Sequence, residues 1–254
     1  MAPRAWTPTR STAAPWSASR ARSATSRPPG SPSRWTFACC RAASEGSKGS
    51  GFAASVDALR RYYVEHGDLW ERQSLTRARL VLGDRALGRR VRAVLRDLVY
   101  GAPLPGASLK EIGEVRTRME VELGKETRGR YHVKLGRGGL VDVEFLAQAL
   151  QLVHGAAHPD ARRASTTAAL AALSRAGALP RDTAAALAGH YRFLRRVSTA
   201  LRLLGARPTD TLELAGPMPA RVGTALGFSS RDAFLAAYRE RTTAVRAAYT
   251  EVFG

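Results

Sequence analysis

Lys134-Leu-Gly-Arg-Gly-Gly-Leu-Val-Asp-Val-Glu-Phe145, running on through Leu146-Ala-Gln-Ala-Leu-Gln-Leu-Val153, is the stretch from which the fold can be read. Three glycines at positions 136, 138 and 139 make a tight loop, and a run of helix formers with apolar residues on more than one side follows at once. The pattern predicts a glycine loop feeding the N-terminus of a well-buried helix from Leu140 to about His154. Lys134, Arg137, Asp142 and Glu144 crowd the junction. A helix N-terminus presents free backbone N–H groups and partial positive charge, so such a junction can hold a phosphate or a carboxylate. The plainer reading is a structural turn whose glycines let the backbone reach a core helix.

Outward from this point the chain reads as helix after helix. Upstream, Val56, Leu59, Tyr62 and Tyr63 form one helical stripe, Trp70 to Val81 a second candidate, and Leu87, Val91, Val94, Leu95 and Leu98 a third, closed by Gly101 and Pro103. Ser108-Leu-Lys-Glu111 has capping-box spacing and opens a fourth, through about Glu126. Residues 127–139 form a loop with Tyr131-His-Val133 extended. Downstream, Ser165/Thr166 caps a short helix ending near Gly177, and Pro180-Arg-Asp182 opens a long one to about Leu204. After a proline-containing loop, helices cover about Pro219–Leu226 and Ser230–Phe253, with Ser230 as N-cap. No strand ladder is evident after residue 50. The fold class expected is all-α, a bundle of about eight or nine helices.

The N-terminal segment differs in kind. Residues 1–44 contain no Asp or Glu and are dominated by Ser, Arg, Pro, Ala and Thr without apolar periodicity, which predicts disorder. The formal charge is +19, of which +7 falls in residues 1–50, leaving +12 for a body whose arginines are interspersed with acids. No basic stripe alternates with aromatic platforms, so nucleic acid is an unlikely class of partner. No apolar run approaches the roughly 18–20 residues of a membrane span, and the adjacent Cys39 and Cys40 build neither a disulfide framework nor a spaced metal site, which points to the cytoplasm.

The candidate side chains carry bland alternatives. On a strand Asp142 and Glu144 would share a face and grip a divalent cation; on a helix they sit about 200° apart and cannot. Arg77 and Arg79 likewise fall on different faces of the second helical candidate, with Trp70 expected in the core. The histidines have no metal-ligand spacing. In Tyr191-Arg-Phe-Leu-Arg-Arg196 the helix packs with Arg192, Arg195 and Arg196 outward, toward an acidic partner.

Taken in order, Glu45-Gly-Ser-Lys-Gly49, Tyr62-Tyr63, Trp70-Glu-Arg-Gln with Arg77-Ala-Arg79, the Lys134–Phe145 stretch, and Tyr191-Arg-Phe-Leu-Arg195 resemble the bacterial glutamine synthetase adenylyltransferase family, over residues 45–254. Its members carry two nucleotidyltransferase halves, each followed by a helical domain, and an Asp at position 142 resembles the C-terminal, adenylylating half. The resemblance implies transfer of AMP from ATP to a tyrosine of glutamine synthetase, with Mg²⁺, in nitrogen regulation under the PII signalling protein and glutamine. It further implies metal-binding acids on strands, in a Gly-Ser…Asp-x-Asp pattern and in an Asp-Leu-Arg-Leu-Arg-Pro string before Glu-Gly.

The chain departs from that pattern where the chemistry would lie. No Gly-Ser…Asp-x-Asp is present, and no residue is nominated as catalytic or as a metal ligand. The genetic code suggests a reason. A frame starting on the last base of each codon from Trp35 must read Asp, then permits Leu, Arg and Leu, forces Leu and permits Pro, one residue from the family string. The expectation is a frame-disturbed C-terminal fragment with 1–44 disordered, 45–130 a remnant of the nucleotidyltransferase domain with connecting helices, and 131–254 the C-terminal helical domain. Such a chain should be inactive alone, with the catalytic sheet largely missing. Lys134, Gly136, Arg137, Gly138, Gly139, Arg77 and Arg79 are the candidates for nucleotide or interdomain contact. The alternative is a non-catalytic helical module that binds glutamine synthetase, PII or another acidic partner.

Overall fold

The structure, a computed structural model, describes residues 55–105, 107–205 and 207–254. The expected disorder of 1–44 and the Glu45–Gly49 turn lie outside the described residues. Within them the chain forms nine α-helices: α1 Val56–Glu65, α2 Leu69–Leu75, α3 Arg85–Tyr100, α4 Ala107–Met119, α5 Leu140–His154, α6 Thr166–Arg175, α7 Arg181–Leu204, α8 Met218–Ala225 and α9 Arg231–Phe253. One small antiparallel ladder pairs β1, Arg130–His132, with β2, Thr211–Glu213, the latter hidden in the proline-containing loop.

Most boundaries follow local chemistry. Asp84 caps α3 by accepting from the Leu87 N–H at 2.7 Å, and Ser230 caps α9 by accepting from Ala233 at 3.1 Å. Two expectations need correction. The second helix stops at Leu75 rather than Val81: the N–H groups of Thr76, Arg77 and Ala78 bond three residues back, to Gln73, Ser74 and Leu75, tightening the last turn into a 3₁₀ end. Arg77 and Arg79 are therefore not on opposite faces of a helix; both follow it. Trp70 is half-buried, its indole N–H donating to Asp68 at 3.2 Å, while Tyr63 and Leu69 fill the core beside it. The capping box placed at Ser108 also fails, because α4 already begins at Ala107. A capping box does form at α2, where Asp68 and Glu71 satisfy each other's backbone N–H groups.

The core has two parts, and α5 belongs to both. Leu146, Ala147 and Leu150 pack with α6, α7, α8 and α9 around Leu170, Leu194, Leu201 and Phe234. Ala149 and Leu152, on another side of α5, pack with Tyr63, Leu69, Val99 and Ile112 from α1 to α4. A helix apolar nearly all round is buried nearly all round, as the opening stretch implied. Between α2 and α5 a buried amide pair, Gln73 to Gln148 at 3.0 Å, bridges the two parts.

Candidate functional site at the glycine loop

From Leu135 onward the loop before α5 commits its backbone donors within the chain. Leu135 N–H donates to His132 Nδ1 at 3.0 Å, Gly136 to the His132 carbonyl at 2.7 Å, and Arg137 to Glu126 Oε2 at 3.0 Å. Gly138 donates to Asp142 Oδ2 at 2.8 Å and Gly139 to the Gly136 carbonyl at 3.0 Å. The first donors of α5 follow suit: Leu140 to Val133 at 3.0 Å, Val141 to Lys134 at 3.0 Å and Asp142 to Gly139 at 3.2 Å. The N–H groups that could have met a phosphate are thus consumed internally. The carboxylates that this junction holds are the chain's own, Glu126 and Asp142.

Glycine is required at Gly138 for two independent reasons. Its φ of 71° lies in the left-handed region, and a Cβ there would stand 1.9 Å from the Thr242 carbonyl oxygen of α9. The loop is pressed backbone to backbone against the last helix.

Beneath it lies an ion network whose central pair is buried from water. Asp142 and Arg116 are both 0 % exposed, with Arg116 Nη2 2.6 Å from Asp142 Oδ1. Arg116 also donates to the carbonyls of Leu135 and Gly136 at 3.0 and 2.9 Å, so α4 grips the loop directly. Arg246 of α9 reaches Asp142 Oδ2 at 3.2 Å and Glu120 at 3.0 Å, while Glu120 lies 3.6 Å from Arg116. Two cations and two anions, from α4, the turn that follows it, α5 and α9, close a neutral set. Arg246 also lies 4.9 Å over the Tyr249 ring, and burial pushes the Tyr249 hydroxyl up to about 12.

Glu144 works on a different side of α5. Its carboxylate accepts from Tyr191 Oη at 2.7 Å and pairs with Arg77 at 3.0 Å, tying the end of α2 to α5 and α7. Burial, then the adjacent Glu144 charge, raises the Tyr191 hydroxyl above its ordinary value, which keeps it a donor. Asp142 and Glu144 are each committed to arginine partners on separate sides of the helix. Among the described residues no cluster of three or more His, Cys, Asp and Glu is placed to hold a metal ion, and Asp142 and Glu144 are already engaged, so those residues do not fit the Mg²⁺ that the resemblance implies.

Of the candidates read from the sequence, Gly136, Gly138 and Gly139 are buried in the loop, whereas Lys134 and Arg137 are exposed at its rim. Arg137 lines an open groove of about 780 Å³ with Tyr131, Tyr238, Arg239 and Thr242. Arg77 reaches the same helix from another side through Glu144, and Arg79 is exposed on the segment after α2. Sequence reasoning missed Arg116, Glu120, Glu126, His132 and Arg246. Arg246 and Glu120, which pair directly, stand 126 positions apart, and nothing in the local spacing of these residues marks them.

A family model described as GlnD PII-uridylyltransferase matches residues 112–253, more than half of the chain, and one described as Glutamate-ammonia ligase adenylyltransferase matches residues 44–94. Among curated proteins, the bifunctional glutamine synthetase adenylyltransferase/adenylyl-removing enzyme of Pseudomonas putida is 33% identical over 189 residues, 74% of this chain and 19% of that protein. The protein of the same description from Streptomyces avermitilis is 37% identical over 203 residues, 78% of this chain and 20% of its own length. The one from Mycobacterium avium is 39% identical over 168 residues, 66% and 17%. The chain spans about a fifth of the length of the curated relatives it matches.

Proposed function

The chain belongs to the glutamine synthetase adenylyltransferase family, and we propose on that premise that it is the helical region of such an enzyme, of the adenylylating half, and is not competent for the chemistry alone. In the whole enzyme, AMP would pass from ATP to a tyrosine of glutamine synthetase, with Mg²⁺ held by acids of a catalytic sheet and with PII and glutamine as regulators. In this reading 45–130 is the remnant of the nucleotidyltransferase domain with its connecting helices, and 131–254 is the C-terminal helical domain. The rim side chains Lys134 and Arg137, with Arg77 and Arg79, contact the nucleotide or the catalytic sheet across the interdomain face.

One observation carries this reading: the loop's N–H groups from Leu135 to Asp142 all have acceptors inside the chain. That supports a rigid junction, presenting exposed side chains outward, over a backbone cradle for phosphate. The engagement of Asp142, Glu144, Glu120 and Glu126 supports the same view, since each carboxylate already has an internal partner. The second reading, a non-catalytic helical module that binds glutamine synthetase, PII or another acidic partner, is favoured by Arg192, Arg195 and Arg196 of α7, which meet no carboxylate among the described residues.

The test incubates the chain with labelled ATP, Mg²⁺ and glutamine synthetase, and measures both label and complex formation. No label is expected; label on the synthetase would refute the claim of incompetence. Saturable binding without label, weakened by Lys134→Glu with Arg137→Glu, would place the contact at the loop rim. Binding indifferent to that pair would remove the loop from the interface.

A further inference from the structure

A second concave surface lies away from the glycine loop, between α7 and α9. It is an open groove of about 480 Å³. Ala186 and Gly189 form one wall, and a Cβ built on Gly189 would meet nothing within 4 Å, so the wall is low enough for another backbone to approach closely. Phe193 lies along the floor. Its ring face is covered by Arg241, whose guanidinium carbon stands 4.6 Å from the ring centroid and whose Nη1 donates to the Ala237 carbonyl at 3.1 Å. Arg241 is therefore a fixed cation with most of its fork still available. Facing Arg241, α7, which also carries Ala186 and Gly189, contributes Arg192 and Arg196, one helical turn apart and both exposed, with Arg195 beside them. Glu240 is the acid among the lining residues, and His190 is held below its usual value by burial and then by Arg241, which favours its neutral form.

Folding does not explain this arrangement. Like charges one turn apart on a helix are mildly destabilising. Among the described residues Arg77, Arg116, Arg202 and Arg246 meet carboxylates, whereas exposed arginines such as Arg89 and Arg92 do not; what sets Arg192 and Arg196 apart is that they line a groove together with Arg241. Among the described residues Arg192, Arg195 and Arg196 meet no carboxylate.

We propose that the α7–α9 groove is a docking site for an acidic helical segment of a partner protein, with carboxylates one turn apart clamped by Arg192, Arg196 and Arg241. The inference deepens the binding-module reading by giving it a surface and a chemistry. A helix lying over Ala186 and Gly189 places glutamates at i and i+4 between the guanidinium forks of both rims, where bidentate pairing is strongest. A nucleic acid strand fits less well. Its bases would need an open aromatic face, and the Phe193 face is taken; its backbone would need a longer track of cations than two turns of helix.

The experiment titrates the full chain with an alanine-based helical peptide carrying Glu at i and i+4, read by amide chemical shifts, with a Gln-for-Glu peptide as control. Saturable shifts are expected at Gly189, Arg192 and Phe193 at physiological salt, and none with the Gln peptide. Arg192→Glu with Arg196→Glu should weaken binding at least about tenfold. Arg89→Glu with Arg92→Glu, the same change of charge on exposed positions of α3, should weaken it less than about threefold. Both pairs are solvent-exposed, so each variant should keep the parent thermal midpoint within a few degrees. Equal losses from the two pairs would mean a diffuse field and overturn the site. So would shifts confined to other helices, equal binding of the Gln peptide, or a DNA duplex that displaces the Glu peptide at lower concentration. Transfer of AMP by the chain would refute the incompetence proposed above and leave this inference untouched.

Discussion

Replacing Asp142 with Asn is the most informative single change. The substitution keeps shape, and the amide oxygen can still accept from Gly138 N–H, now 2.8 Å from Oδ2. What it removes is the negative charge facing Arg116 at 2.6 Å and Arg246 at 3.2 Å. Arg246 retains Glu120 at 3.0 Å and is partly exposed, so its loss is modest. Arg116 has no exposure and keeps only the two loop carbonyls and Glu120 at 3.6 Å. Breaking a buried pair from one side costs about 3–5 kcal/mol, chiefly because the surviving charge is stranded. Against a typical domain stability of about 5–15 kcal/mol, that is a large fraction.

Removing both charges gives a sharper test. Arg116→Met alone strands Asp142 and also forfeits the hydrogen bonds to Leu135 and Gly136, for a comparable cost. In the double variant neither charge is stranded, so the two costs should fall short of additivity by about 2–3 kcal/mol. Urea denaturation with matched m-values measures the cycle, and hydrogen exchange at Gly138 N–H reports whether the loop opens with it. Additivity within about 0.5 kcal/mol would refute the network as an energetic unit, and so would an Asp142→Asn cost below about 1 kcal/mol.

Other expectations follow from single positions. Gly138→Ala should cost roughly 3 kcal/mol or more, since it combines a left-handed φ with a Cβ 1.9 Å from the Thr242 carbonyl, whereas Gly189→Ala, in open space within α7, should stabilise by about 0.4–1 kcal/mol; thermal melts of the two decide. His132 is held below its ordinary value by burial, despite the nearby Asp210, and its neutral Nδ1 accepts from Leu135 N–H. Its contribution to stability is therefore intact above the unfolded value of about 6.5 and declines as pH falls below it toward the folded value. His132→Asn keeps an acceptor without the titration, so the decline between about pH 6.5 and 5 should shrink; His154 and His190 shift the same way and should preserve part of it. At Asp210 burial acts to raise the carboxyl, but the Arg202 and Ser198 hydrogen bonds outweigh it and hold the net value below the usual range. Asp210→Asn should remove stability that is present above about pH 4 and lost as pH falls toward the folded value, on the order of 1 kcal/mol given that Arg202 is half-exposed; parallel acid limbs in parent and variant would contradict this.

The helical architecture was legible because α5 announces itself. Apolar residues on more than one side of the Leu140–Val153 stretch, broken only by Asp142, Glu144, Gln148 and Gln151, read as a buried helix once glycines preceded them, and the rest of the bundle has to cover it. The small sheet was not legible, since Thr211–Glu213 is three residues long and pairs with β1 across an interval of some eighty positions. The end of α2 was misjudged for a related reason. Arg77 and Arg79 are good helix formers, so propensity argued for continuation, while the 3₁₀ turn at Thr76 and the draw of Glu144 on Arg77 ended it.

The glycine loop shows where sequence reading stops and why. Its residues state that the backbone must turn tightly, and they state equally well a phosphate cradle and a structural turn. What separates the two is the destination of eight N–H groups, decided by Glu126, His132 and Asp142 in concert with Arg116 and Arg246. None of these signals its role by type or spacing, because the ion network is assembled by packing α4 and α9 against α5. A buried charge set of this kind is weak evidence of added stability but fixes one register for the loop against both helices. Fixing that register points Lys134 and Arg137 outward from a rigid support. On the proposed reading, contact chemistry at this site depends on side chains reaching out from the loop, with its backbone as their mount.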